Sequence, residues 1–172
     1  HVVDPHAGGM RIDHVMGLMR LWVIPAGAGP TEGAYLNYPF DDLLRLLSIE
    51  AWRRNAVILG EDLGTVPEGL RDKLAERGLL GMRVLFFERD QHGRFTPPMR
   101  WPNTALATST THDLPTIHGW WQGHDIDWRI RVGQNQEHER AAQLEERERE
   151  RAGLLRLLRE YAPDIQGDLT DP

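Results

Sequence analysis

Residues 56–60 are small or apolar without interruption, and the run stops abruptly at two acids: AVILGED. A half-exposed strand alternates apolar with polar side chains. A short unbroken apolar run reads instead as a strand covered on both faces, the condition of a parallel sheet flanked by helices. Two other stretches share this shape, GGMRIDH at 8–14 and TALATSTTHD at 104–113. Each predicts a short strand ending in a carboxylate. The three acids, Asp13, Glu61 and Asp113, are spaced 48 and 52 residues apart, room for a helix and a loop between neighbouring strands.

The segments between them support that reading. In FDDLLRLLSIEAWRRN, Leu43, Leu44, Leu47 and Ala51 fall near helical spacing. TVPEGLRDKLAERG predicts a helix opened by a Thr65–Glu68 capping box and closed at Gly78. MRVLFFE is a further candidate for a buried strand, and IPAGAGPTEGAYLNYP, rich in glycine and proline, predicts a long connection of functional interest. From 136 to 162 the chain predicts a densely charged helix, with Glu145 and Glu146 at pairing distance from Arg149. The order strand, helix, strand, helix, strand, loop, strand predicts a parallel α/β architecture. We divide it into residues 1–130, the α/β part, and 131–172, a charged helical segment.

Composition narrows the functions open to such a chain. A net charge of −6 argues against bulk binding to nucleic acid. With no cysteine, disulfides, thiolate catalysis and cysteine–metal sites are excluded. No apolar run approaches the roughly 18 residues of a membrane span. No basic region followed by an apolar segment marks a signal peptide near the first residues, so a cytoplasmic location is expected. No close-packed ligand pattern such as H-E-x-x-H is present, so no metal is expected.

In parallel α/β folds, ligands gather at the C-terminal ends of the strands, where these three carboxylates stand. Each has a structural alternative: Asp13 as an ion-pair partner of Arg11, Glu61–Asp62 as a turn pair, Asp113 as a helix N-cap, and His14 and His112 as ordinary half-buried histidines. Taken together, however, carboxylates in unlike environments beside arginine and histidine suit glycosyl transfer. One acid must be ionised to attack the anomeric carbon, and another must protonate the leaving oxygen and then act as base. On one strand face, Arg11 would keep Asp13 ionised.

The stretches GGMRIDHVMGLMRLWVIPAG, EGAYLNYPFDDLL, VILGEDLGTVPEGL, VLFFERD and TSTTHDLPTIHGWW resemble those of the 4-α-glucanotransferases (amylomaltases, disproportionating enzymes), relatives of the α-amylase superfamily. The match runs from about residue 8 to 128. It implies a (β/α)8 TIM barrel, of which this chain supplies about strands four to seven. It further implies Asp13 as nucleophile, Glu61 as general acid/base and Asp113 as stabiliser of the transition state. Arg11, His14 and His112 fall at substrate positions, and Trp22, Tyr35, Trp101 and Trp120 are candidate sugar contacts. The implied substrates are α-1,4-glucans and maltooligosaccharides, with no nucleic acid or membrane partner. That no organic cofactor is needed is implied by the family resemblance alone.

A whole barrel takes about 250 residues. The chain is therefore expected to be an enzyme fragment, inactive by itself and prone to self-association through open strand edges. The competing functions are an α-glucan hydrolase with the same carboxylates, and a non-catalytic glucan-binding fragment. GAYLNYP favours the transferase.

Overall fold

The computed structural model describes residues 7–164. Along them run β1 (Gly9–Ile12), β2 (Arg20–Val23), β3 (Ala34–Asn37), α1 (Phe40–Arg54), β4 (Val57–Gly60), α2 (Leu70–Glu76), β5 (Gly81–Val84), β6 (Ala105–Thr108), α3 (Ile117–Gln122), α4 (His124–Arg131) and α5 (Arg140–Tyr161). Boundaries after Met82, Trp101 and Leu106 divide the chain into two compact units. The mixture of helices and strands fits an α/β fold, although β1–β3, β5–β6 and α3–α5 each follow one another without alternation.

In the first unit the expected parallel pairing is present. β1 lies beside β4 in register from Gly9↔Val57 to Ile12↔Gly60. On the other side of β4, the Leu80 N–H donates to the Ile58 carbonyl (2.9 Å) and the Gly60 N–H to the Leu80 carbonyl (2.7 Å). The Gly81 N–H then reaches the Thr104 carbonyl at 2.9 Å. The starts of β5 and β6 thus extend the row begun by β1 and β4.

α1 covers this row. Asp41 and Asp42 occupy its first turn and Arg53 and Arg54 its last, each sign complementing the helix dipole. It ends at Asn55, left-handed at φ 49°, whose N–H returns to the carbonyls of Ala51 and Trp52. Phe40 and Leu44 face inward and pack with Val15, Met16, Ile58, Leu70, Leu74 and Leu79. Burying each of these side chains contributes about 1.5–3 kcal/mol before the ordering entropy is set against it.

Two local expectations need correction. The Thr65–Glu68 capping box does not open α2: the helix starts at Leu70 behind Gly69, with no side-chain cap bond. Gly64 and Gly69, both at positive φ, keep the intervening stretch in turns around Pro67. The glycine- and proline-rich connection is not structureless either, because β2 and β3 form an antiparallel hairpin from Arg20↔Asn37 to Val23↔Ala34. Every residue of β3 is exposed, so no alternation of apolar and polar residues announced it.

The second unit is mainly helical. Thr116 caps α3 by accepting the Gly119 N–H at 3.0 Å, and Gly123, at φ 78°, separates α3 from α4. Phe95, Trp120, Leu154 and Leu157 form its core. The charged α5 is not simply a solvated rod. Arg147 is buried, with Nη1 and Nη2 each 2.8 Å from the Asp125 carboxylate, a further bond to the Trp120 carbonyl, and its guanidinium 4.7 Å above the Trp120 ring. The expected Glu145–Arg149 pair is present at 3.6 Å on the exposed side.

Candidate active site

Because Ile12 and Gly60 are register partners at the ends of parallel strands, the next residues, Asp13 and Glu61, emerge side by side. The backbone stitches the two turns together. The Glu61 N–H donates to the Ile12 carbonyl (2.8 Å), and the Val15 N–H donates to the Glu61 carbonyl (2.9 Å). To make that return, His14 adopts the left-handed conformation (φ 46°, ψ 61°), one of two described non-glycine residues to do so. This strained turn aims the His14 N–H at Glu61 Oε2, 2.7 Å away. Glu61 Oε1 accepts the Leu63 N–H at 2.7 Å. Both carboxylate oxygens are therefore oriented by the backbone.

Arg11 Nη2 lies 2.6 Å from Asp13 Oδ1, so the ion pair expected from their common strand face is formed. Asp13 is mostly exposed, open to a substrate, while Arg11 is more covered and its Nε donates to Met82 Sδ at 3.3 Å.

Beside Glu61 stands an acid that the sequence left as half of a turn pair. Asp62 is fully buried. Its Oδ1 accepts the Met82 N–H (2.7 Å) and its Oδ2 the Arg71 Nε (2.6 Å), while Arg71 Nη2 also reaches the Asp62 carbonyl (3.0 Å). Gly81 leaves room for this carboxylate: a Cβ there would sit 3.1 Å from Oδ1. Sequence spacing missed Arg71 and Met82. The one available signal was the acid doublet itself, in which the second carboxylate faces away from the first.

The hairpin supplies an aromatic surface in the same unit. Trp22 and Tyr35 are cross-strand partners with ring centroids 4.9 Å apart, edge to face, and the Arg20 guanidinium lies 4.2 Å over Tyr35. The indole N–H donates to the Pro30 carbonyl at 3.0 Å. Both rings keep about half their surface in solvent, at 44% and 51%.

The remaining expected residues belong to the second unit. His112 Nε2 is 3.3 Å from Asp113 Oδ2, and both side chains are exposed. Their loop is pinned by Thr108 Oγ1 donating to the Thr110 carbonyl and Thr110 Oγ1 to the Pro115 carbonyl, each at 2.8 Å. Since Thr116 caps α3, Asp113 is not its N-cap. Trp101 is half-buried with its indole N–H on the Thr96 carbonyl (3.0 Å). Trp120 is only 5% exposed, with Phe86 at 4.9 Å and Arg147 over its ring. Its burial does not fit the sugar contact expected of it; the ring is occupied by the core.

Among the described residues, no group of three or more His, Cys, Asp or Glu side chains is arranged to hold a metal ion, and no helix is long and apolar enough to cross a membrane.

A family model described as 4-alpha-glucanotransferase matches residues 3–171. The 4-alpha-glucanotransferase of Mycobacterium tuberculosis is 46% identical over 132 residues, 74% of this chain and 18% of its own. That of Haemophilus influenzae is 46% identical over 120 residues, 70% of this chain and 17% of its own. Among solved structures, amylomaltase from Corynebacterium glutamicum superposes with a TM-score of 0.83 at 37% identity, covering 90% of this chain and 22% of that one. Amylomaltase from Streptococcus agalactiae, solved in complex with acarbose, gives 0.56 at 23% identity over 75% of this chain and 27% of its own, a likeness of fold. The chain spans about a fifth of the length of these relatives.

Proposed function

The chain belongs to the 4-alpha-glucanotransferase family, and from that premise we propose that it carries the catalytic carboxylates of an enzyme that moves a segment of an α-1,4-glucan onto the 4-hydroxyl of glucose or another glucan. In this reading Asp13 attacks the anomeric carbon and expels the leaving glucan, which takes a proton from Glu61. Glu61 then deprotonates the acceptor hydroxyl, which displaces Asp13 and restores the original anomeric configuration. Asp113 binds sugar hydroxyls as the ring flattens. Arg11 pairs with Asp13 and fixes its direction, His14 and His112 donate to hydroxyls beside the reacting carbon, and Trp22, Tyr35 and Trp101 offer ring faces to sugars.

One observation carries this reading: parallel register places Asp13 and Glu61 as neighbours just beyond the ends of paired strands, each carboxylate already held by a specific donor. Neighbouring strands lie about 4.8 Å apart. Retaining chemistry needs a pair of carboxyl groups roughly 5–5.5 Å apart, which acids at the ends of adjacent strands are suited to supply.

The same reading assigns residues 1–130 to part of a (β/α)8 barrel and 131–172 to its helical periphery. It places the enzyme in the cytoplasm, acting on maltooligosaccharides without a metal or organic cofactor, and expects open strand edges to promote self-association. The test is the product profile from maltotriose. Transfer yields glucose together with maltopentaose and longer chains, whereas a hydrolase yields only shorter sugars. Asp13→Asn should abolish the covalent glycosyl intermediate, and Glu61→Gln should slow transfer by about 10²–10⁴-fold. Near-native transfer by either variant would remove that residue from its role.

A further inference from the structure

Among the described residues Asp62 is the only carboxylate counted as buried, and a buried charge is costly unless its partners repay the lost hydration. Its partners are not scattered through the core. On one side it is covalently next to Glu61, whose main-chain N–H and carbonyl are tied to Ile12 and Val15. On the other, its Oδ1 holds the Met82 N–H, and the Met82 sulfur accepts the Arg11 Nε that belongs to the guanidinium paired with Asp13. Arg71 locks the arrangement from α2 by gripping both the carboxylate and the carbonyl of Asp62. Gly81 leaves the space that the carboxylate fills.

We propose that Asp62, clamped by Arg71, is a positioning residue that sets both the Glu61 turn and the Arg11–Asp13 pair. The inference rests on the assignment of Glu61 and Asp13 as acid/base and nucleophile. Asp62 touches no substrate in this scheme. It acts through Met82 and Arg11 on one carboxylate and through the backbone on the other. Asparagine has one acceptor oxygen for the two donors that Asp62 satisfies. Either it keeps the Met82 N–H and turns its NH2 toward Arg71, or it keeps Arg71 and turns the NH2 toward the Met82 N–H, and either way the clamp loosens. A displacement of about 1 Å at the reacting groups is enough to cost about 10²-fold in rate.

The experiment compares Asp62→Asn, Arg71→Met, Arg71→Lys and Glu61→Gln in the native polypeptide containing this chain. Transfer from maltotriose is expressed as kcat per active site and as KM. Sites are counted by trapping the covalent intermediate with a fluorinated α-glucosyl fluoride and mass spectrometry, so that unfolded molecules drop out of the rate. Arg71 is half-exposed, and its variants keep the test open if Asp62→Asn does not fold. The expected result is that Asp62→Asn and Arg71→Met lower kcat per trapped site by about 10²-fold. KM should stay within about threefold, and Arg71→Lys, which retains the charge but not the fork that holds both oxygens, should recover part of the loss. Parental kcat per site in Arg71→Met or Asp62→Asn, with Glu61→Gln inactive, overturns the positioning role while leaving the active site assignment standing. A Glu61→Gln enzyme that still transfers overturns the assignment itself and this inference with it.

Discussion

The turn that ties the end of β1 to the residue after β4 depends on a histidine in a conformation most residues avoid, and substitution there has a calculable energetic signature. At φ 46° and ψ 61°, His14 is left-handed, while its side chain is exposed. Substitution there tests the backbone with little change in packing. The left-handed conformation costs an L-residue about 1–2 kcal/mol. His14→Gly removes that strain but gains about 0.4–1 kcal/mol of unfolded-state freedom, so its net effect lies between neutral and about 1.6 kcal/mol stabilising. A β-branched residue is worse placed than histidine, so His14→Val should destabilise by about 1 kcal/mol or more. His14→Asn should stay near the parent, because asparagine tolerates this region.

Glycine and valine are thus expected to differ by about 2 kcal/mol, or about 1 M in urea midpoint at a slope near 2 kcal/mol per M. Equilibrium urea unfolding followed by circular dichroism reads this directly. Equal midpoints for the glycine and valine variants would show that residue 14 is not held left-handed in solution. The backbone orientation of Glu61 by the His14 N–H would fall with it.

Asp125→Asn leaves the buried Arg147 guanidinium without its bidentate partner, and the expected cost is about 3 kcal/mol, at the lower end for a broken buried pair because Glu150 Oε2 remains 3.4 Å from Nε; an unchanged thermal midpoint would refute that. The Arg94 N–H bonded to Asp90 holds that carboxyl at about 2 instead of 3.8, partial desolvation opposing it and the Arg94 side chain and His92 N–H adding to it. The stability this contributes is complete above pH 3.8 and is lost as pH falls through about 2, and a carboxyl NMR midpoint near 3.8 would exclude the loop geometry drawn between 89 and 95. Gly33→Ala puts a Cβ about 2.5 Å from the Trp22 ring, so the indole must move; the Trp22 N–H resonance should shift and stability fall by about 1–3 kcal/mol, whereas an unmoved resonance would place the ring elsewhere.

What could be read along the chain was what local chemistry dictates. The unbroken VILG run announced a parallel strand, but only one of its faces is buried: Ile58 and Gly60 are covered, whereas Val57 is exposed and Leu59 half-buried. α1 was legible from its leucine spacing, with its acids and arginines at the ends that the helix dipole favours. The pairing of Arg11 with Asp13 followed from their shared face two residues apart. The β2–β3 hairpin was not legible, since its exposed strands carry no burial pattern. The short α3 and α4 were missed as well, being held by the Thr116 cap, the Gly123 turn and packing of Trp120 against Arg147 and Phe86.

The same division runs through the candidate site. Sequence alone determined that Asp13 and Glu61 follow the ends of strands, because strand termination and side-chain alternation are local properties, whereas Asp113, expected at a strand end too, lies in a loop five residues beyond β6. Which of two adjacent acids would be fully buried, that Trp120 would belong to a core, and that an arginine nine residues on and a methionine on the next strand would hold Asp62 were decided by the tertiary structure. Those outcomes depend on where segments distant along the chain come to rest, and hydration, unlike periodicity, is set only when they do.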